Sequence, residues 1–285
     1  MNDMSLKQSF RATLLQGSLT GLLQWPTIKP VDYNNWAEES GIEPDLSELH
    51  FNARSCDMAI HFPSQGLMTQ ALTMMDNRSY NDWSFPFLPG AGVSLRNVAS
   101  HVEYYKGFVI LHLTAIEDKF TYLGIGEESL RTYPCETDTA YRIDGVPFSS
   151  YGVKIINDPF SGIMSSGAVK QHLIQTNKLM DGNEYAHRLM NGGEYVPYPH
   201  LYGSNMFSVP CFITGPVSQV VMNLFSLFQA VTRLDDGQGD LLAAKRFVTL
   251  SGREADCYYQ SMNITSLYLD QSKTWLTFNI NFVKI

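Results

Sequence analysis

The chain is expected to be a mainly β protein with a minor helical part. Three observations carry that expectation. From Trp275 to Ile285 the residues alternate, with Leu276, Phe278, Ile280 and Phe282 on one side and Thr277, Asn279 and Asn281 on the other. Period two separates the faces of a pleated strand. Before it, residues 257–264 are rich in strand formers, and Asp270-Gln271-Ser272-Lys273 supplies the turn, so the chain ends in a hairpin. The third observation is a repeated order. Strand, helix, strand and hairpin succeed one another in residues 53–116 and again in 206–285.

In the first half, Ala53 to Pro63 alternates with Cys56, Met58, Ile60 and Phe62 on one face. From Ser64 the period lengthens. Leu67, Met68, Ala71, Leu72 and Met75 form a helical stripe behind a serine N-cap. Trp83 to Leu88, Val93 to Tyr105 and Phe108 to Ile116 read as strands, the last two joined through Lys106-Gly107. In the second half, Met206 to Thr214 is a strand. Val217 to Leu234 is a helix with Val220, Val221, Leu224, Phe225, Phe228 and Val231 on its apolar side, and Arg246 to Leu250 is a short strand. Letter identity between the halves is low, so the repeat rests on pattern.

The remaining stretches are plainer. Leu6, Phe10, Leu14 and Leu15 predict a short amphipathic helix over 5–16 ended by Gly17, which covers its own sheet or docks on a neighbour. Residues 34–41 read as loop and Asp45-Leu46-Ser47-Glu48 as a cap or turn. Residues 117–150 read as a connector, Tyr151 to Ile156 as a strand, and 168–175 as strand or short helix. Asp181 to Tyr185 reads as a turn and 190–205 as an exposed loop. The expected organisation is an N-terminal arm (1–30), a first β unit (31–120), a connector (121–150) and a second β unit (151–285) with an inserted loop at 186–205.

The chain has 285 residues, of which 44% are apolar and 12% aromatic, enough for a sizeable core. Only 17% are charged, against about a quarter in an ordinary soluble domain. Either partner subunits cover much of the surface or the β core is large. A net charge of −8 argues against a nucleic-acid binder, which needs a basic footprint. No run of 18 apolar residues occurs, so no membrane span is expected, and Met1 to Lys7 lacks the pattern of a secretion signal. Cys56, Cys135, Cys211 and Cys257 stand apart with no C-x-x-C pair. They read as reduced thiols acting as small apolar groups, in a protein made in a cytoplasm.

Candidate chemistry is sparse. Asp235, Asp236 and Asp240, on a glycine-containing stretch, offer the oxygen ligands Ca²⁺ prefers. Their spacing departs from the EF-hand loop, and a solvated turn is the plainer reading. His61, His101 and His112 lie in the first repeat, and His112, on a strand face with Ile110 and Thr114, reads as a hydrogen-bonded structural histidine rather than a metal ligand. Glu38-Glu39 and Glu127-Glu128 read as loop charge, and Ser165-Ser166 does not make a nucleophile elbow. No phosphate loop or dinucleotide fingerprint occurs, so no catalytic residue and no cofactor are assigned. Tyr195, Tyr198, His200 and Tyr202 are ligand or interface candidates. Aromatic rings stack on sugar faces, which keeps a carbohydrate-binding β-sandwich adhesin open as the alternative function. Tyrosines also favour subunit interfaces.

Several phrases resemble tail proteins of phages and prophages of Bacteroides-type bacteria. They are residues 33–47 (Tyr33-Asn34-Asn35-Trp36 through Ser47), Tyr151-Gly152-Val153-Lys154-Ile155-Ile156, Ala168-Val169-Lys170 and Asp181-Gly182-Asn183-Glu184-Tyr185. Cys257-Tyr258-Tyr259-Gln260-Ser261-Met262 and Trp275-Leu276-Thr277-Phe278 complete the set. These turn and strand phrases spread over residues 33–285. The resemblance implies a virion structural protein of the distal tail or baseplate, made in the bacterial host. It further implies tail-tube-like β-sandwich or barrel units, each with one flanking helix, that assemble into a homo-oligomeric ring beside other tail proteins. The insertion at 186–205 departs from the family pattern. The design is physically sensible, because edge strands offer unpaired backbone groups to neighbours. A chain carrying two copies of one unit also needs half the rotational symmetry. One expectation rests on the alternation alone. Phe278→Asp should abolish folding by burying an unpaired charge, and native-like circular dichroism from that variant would refute the assigned strand face.

Overall fold

The computed structural model describes residues 6–15, 17–34, 42–46, 50–85, 92–118, 141–156, 178–180, 183–186, 193–196, 201–202, 205–232, 245–248, 254–270 and 273–285. The protein is mainly β. Helix α1 (Leu6–Phe10) leads to β1 (Thr13–Leu14), and β2 (Tyr33–Asn34) pairs with β3 (Glu43–Pro44). Then come β4 (Arg54–Phe62), α2 (Gln65–Asp76), β5 (Asn81–Ser84), β6 (Gly92–Tyr105) and β7 (Phe108–Glu117). A hairpin of β8 (Arg142–Ile143) and β9 (Val146–Pro147) precedes a 3₁₀ turn at Phe148–Tyr151 and β10 (Val153–Ile155). Four short strands follow: β11 (Lys178–Met180), β12 (Asn183–Ala186), β13 (Gly193–Val196) and β14 (Leu201–Tyr202). The chain closes with β15 (Asn205–Gly215), α3 (Val217–Thr232), β16 (Lys245–Val248), β17 (Glu254–Tyr268) and β18 (Thr274–Lys284).

Two antiparallel sheets organise these elements. The first runs β1-β4-β7-β6-β5 and the second β10-β15-β18-β17-β16-β8-β9. Their cores have one topology. A strand (β4, β15) enters a helix (α2, α3), a short strand follows (β5, β16), and a long hairpin (β6–β7, β17–β18) returns its second arm beside the first strand. In each sheet a short earlier strand, β1 or β10, flanks the entering strand.

Side-chain alternation explains each sheet. Cys56, Met58, Ile60 and Phe62 of β4 are buried with Val109, Leu111, Leu113 and Ala115 of β7, and α2 adds Met68, Ala71 and Met75. The Ser64 hydroxyl accepts from the amide of Leu67 and starts that helix, as a serine N-cap should. In the second sheet Leu276, Phe278, Ile280 and Phe282 are all buried, with Phe278 only 1% exposed. Helix α3 buries Val220, Val221, Leu224, Phe225, Phe228 and Val231, and also Asn223, Ser226, Leu227 and Thr232. A helix enclosed on more than one face is an internal element rather than a surface one. Pro210 sits within β15, where a missing N–H would break a ladder. Its carbonyl accepts from Ile156, just past the end of β10. The absent donor therefore falls where that neighbour has stopped pairing.

Residues 18–28 join the sheets. Thr20 exchanges backbone hydrogen bonds with Asp57 on the outer edge of β4 (2.9 and 3.1 Å). Gly21, at φ +79°, lies so close to β4 that a Cβ there would meet the Ser55 carbonyl oxygen at 2.0 Å. Only glycine fits that approach. The carbonyls of Leu22 and Gln24 accept from Arg54 (2.6 and 3.2 Å), whose Nε–H donates to the buried carboxylate of Glu117. Trp25 then enters the second half, its ring 4.9 Å from Phe228 and 5.9 Å from Tyr259. The Tyr259 hydroxyl donates to the Pro26 carbonyl (2.8 Å), and the Ile28 amide to the Gln260 carbonyl (3.1 Å).

Several expectations are corrected. The N-terminal helix stops at Phe10, because Arg11 turns to φ 53° and Thr13–Leu14 pairs with Ile60 and His61. Pairing on an open sheet edge outweighs a helical spacing of four residues. Tyr151 closes a 3₁₀ turn, with Gly152 at φ 66° redirecting the chain, so the strand expected over 151–156 is Val153–Ile155. Residues 183–186 and 193–196 are paired strands, not turn and loop. The strand expected at 83–88 is Asn81–Ser84, with 86–91 outside the described residues. The stretch 168–175 also lies outside them. Cys56, Cys211 and Cys257 are buried, and burial pushes the Cys56 thiol up to about 11, too high for reactivity. Cys135 lies outside the described residues.

The buried Arg54–Glu117 pair generates a prediction. Arg54→Met leaves Glu117 buried without its cation and the Leu22 carbonyl without its donor, a loss of about 3–5 kcal/mol. Arg54→Met with Glu117→Leu should recover much of it. Urea denaturation of both variants and of Glu117→Leu gives the coupling directly.

Candidate assembly surface

The long strand of each hairpin outruns its short neighbour. Strand β5 pairs only with Gly92–Leu95 of β6, and β16 only with Glu254–Cys257 of β17. Beyond those points, among the described residues, the outer edge of β6 has no backbone partner. On the outer edge of β17, among the described residues, the Gln260 carbonyl accepts from the Ile28 amide. Equivalent edges are thus open in the two sheets. An unpaired strand edge is a template for another chain.

On β6 the open run begins at a shift of register between Asn97 and Ala99 and ends at the Lys106–Gly107 turn. Gly107 takes φ +99°, which a two-residue hairpin loop requires. The start of the run is clamped. Arg96 donates through Nε and Nη2 to the two carboxylate oxygens of Asp118 (2.7 and 2.8 Å), and the Tyr80 hydroxyl adds a third bond (3.0 Å). The Arg96 hydrogen bond pulls the Asp118 carboxyl from its ordinary 3.8 down to about 2, and raises the guanidinium above its usual value.

The solvent face of this sheet carries the three histidines. His101 and His112 are cross-strand partners, their ring centres 6.0 Å apart. His112 Nε2 lies 3.2 Å from a Glu103 carboxylate oxygen, so the partner of this histidine on the strand face is an acidic side chain of β6. Glu103 accepts from the Tyr105 hydroxyl (2.7 Å), which with His112 holds its carboxyl below the usual range. The Tyr105 ring stacks on Phe108, and His61 packs 5.2 Å from Phe108. Val98, Tyr104 and Tyr105 of this strand are left 51%, 63% and 49% exposed.

Among the described residues no group of three or more His, Cys, Asp and Glu side chains is placed to share a metal ion. A shallow concavity on the solvent side of α2 is lined by Gln65, Thr69, Gln70, Thr73 and Asn77 and holds no titratable side chain. The Ca²⁺ candidates Asp235, Asp236 and Asp240 lie outside the described residues, as do Tyr198 and His200. Tyr195 belongs to β13 opposite Glu184, and Tyr202 to β14 opposite Lys178, on separate two-stranded sheets. Sequence reasoning missed the β6 edge. The mismatch that opens it, a strand of 14 residues beside one of four, appears only once the strands are paired.

No protein-family model and no curated protein matches this chain. Among solved structures it is similar to the SPP1 Dit protein, described as a paradigm of the hub adsorption apparatus in Gram-positive-infecting phages. That likeness has 9% identity and a TM-score of 0.29 over 98% of this chain and 94% of that one. A TM-score of that size is below what a shared fold requires. No helix among the described residues is long and apolar enough to cross a membrane.

Acid should loosen the clamp. Because the folded-state Asp118 carboxyl is depressed, the stability it supplies is complete above pH 4 and is lost as pH falls from 3.8 towards 2. Asp118→Asn should remove that part of the acid sensitivity, measured as the melting temperature between pH 5 and pH 2.

Proposed function

We propose that this protein is a non-enzymatic structural subunit of a phage tail, which assembles with copies of itself into a ring and is carried in the virion among other tail proteins. The observation that carries the self-assembly is the pair of open strand edges, at equivalent positions in two sheets of one topology. A subunit meant to extend its sheets into neighbours needs such edges; a solitary enzyme or binding domain normally blunts them. The low charged fraction agrees, since interface cores are depleted of charge. The tail assignment comes from the sequence phrases that resemble phage tail proteins.

The two sheets with their helices are, on this reading, duplicated tail-tube-like units within 31–120 and 151–285. Residues 1–30 form an arm and 121–150 a connector. The shared order of entering strand, helix, short strand and hairpin supports descent from one unit. Conserved topology with diverged letters is what duplication leaves when only the burial pattern is under constraint.

The test is the mass of the full chain in solution. Light scattering should give one fixed ring-sized species, and negative-stain images should show closed rings. A monomer that binds glycans on an array would overturn the proposal in favour of the adhesin alternative.

A further inference from the structure

The open run on β6 has a property that its counterpart on β17 lacks. Strand β17 shifts register at Tyr259/Ser261 and again at Ile264/Ser266, and no charged residue lies between Ser261 and Tyr268. Strand β6 is regular from Ala99 to Tyr105, where every residue keeps its partner in step on β7. Hydrogen-bonded pairs alternate along an antiparallel ladder, and the pair flanking a two-residue turn is hydrogen-bonded. Counting back from Tyr105–Phe108, the residues Tyr105, Glu103, His101 and Ala99 bond to β7. Tyr104, Val102 and Ser100 then point their N–H and C=O groups outward.

We infer that this edge pairs antiparallel with the same edge of a second copy, about a two-fold axis at Val102. The inference rests on the self-assembly reading but not on the ring or the phage tail. Three features select this register. First, Val102 is the midpoint of Ala99–Tyr105, so pairing about it uses the whole regular run of both chains. Second, it sets Val102 against Val102, and Ser100 against Tyr104 in both directions. All of these are outward-facing residues, so about six backbone hydrogen bonds form with none left over. Third, on the solvent face it sets His101 of each copy opposite Glu103 of the other, and small Ala99 opposite large Tyr105. Opposite charge and size complementarity are what stabilise cross-strand neighbours. Centring one residue earlier breaks this pattern, because it faces His101 with His101.

The partner is therefore a second copy of this chain, and the product is one sheet continuous across two subunits. The contact is isologous and closes on itself. Joined to a ring, it holds two rings or two subunits together without extending either indefinitely.

Sedimentation velocity of the full chain tests this. The parent should associate reversibly, and Ser100→Pro should halve the particle mass. Proline there removes an outward N–H while leaving the β6–β7 ladder intact. His101→Glu, which places like charges across the axis twice, should weaken the association about tenfold. The His101→Glu/Glu103→Lys double variant should restore it. Far-ultraviolet circular dichroism checks that each variant is folded, and the charge pair decides the matter if the proline variant is not. A parent that stays monomeric, a mass unchanged by Ser100→Pro, or a double variant no tighter than His101→Glu would overturn the inference. A parent that forms the dimer but nothing larger would sink the ring and leave this pairing standing.

Discussion

Residues 18–28, with the cation that binds their carbonyls, tie the two halves to each other. Arg54 is buried at the start of β4, with Glu117 beside it at the end of β7 and the carbonyls of Leu22 and Gln24 in front. An arginine without those acceptors would not stay buried, since its desolvation is not offset by the carboxylate alone. The ion pair thus stabilises the fold chiefly by where it puts the next residues. Three positions on, Trp25 is delivered into the aromatic cluster of Phe228, Tyr259 and Phe278. A charge pair in the first half sets the packing of the second.

This arrangement explains why one continuous core contains residues of both sheets although each has its own helix. Each unit buries its alternating face under its helix, and the strap fills the space that remains. It also covers the β4 edge of the first sheet. Strand β1, Ser18 and Thr20 together bond along β4 from Ile60 back to Asp57. What is left open lies on the far side, on β6. The second sheet continues on its corresponding side through β16 to the β8–β9 hairpin, whereas the first stops at β5.

The β6 edge mixes features that invite pairing with features that limit it. The register shift at Asn97–Ala99 and the Arg96–Asp118 clamp end the regular run on one side, and the tight turn ends it on the other. A bounded run admits one register, whereas a long uniform edge would slip and aggregate. Charged residues on that face, which guard an edge against random partners, become specific when the partner offers the complementary order.

Much of the architecture was legible in the amino-acid order alone. Period-two burial on β4, β7 and β18, the Ser64 cap and the apolar side of α3 follow from local spacing, because each element must hide its own apolar atoms whatever surrounds it. The repeated order of elements was visible for the same reason. Three things were decided only by tertiary structure. Residues 13–15 pair on β4 instead of continuing a helix, because an adjacent sheet edge offers more hydrogen bonds than a lone helical turn. Arg54 and Glu117 are 63 positions apart, and nothing local announces that they meet. The open edge of β6 exists because β5 is short and set against one end of it. Such a vacancy belongs to the register between strands and is written in no single one of them.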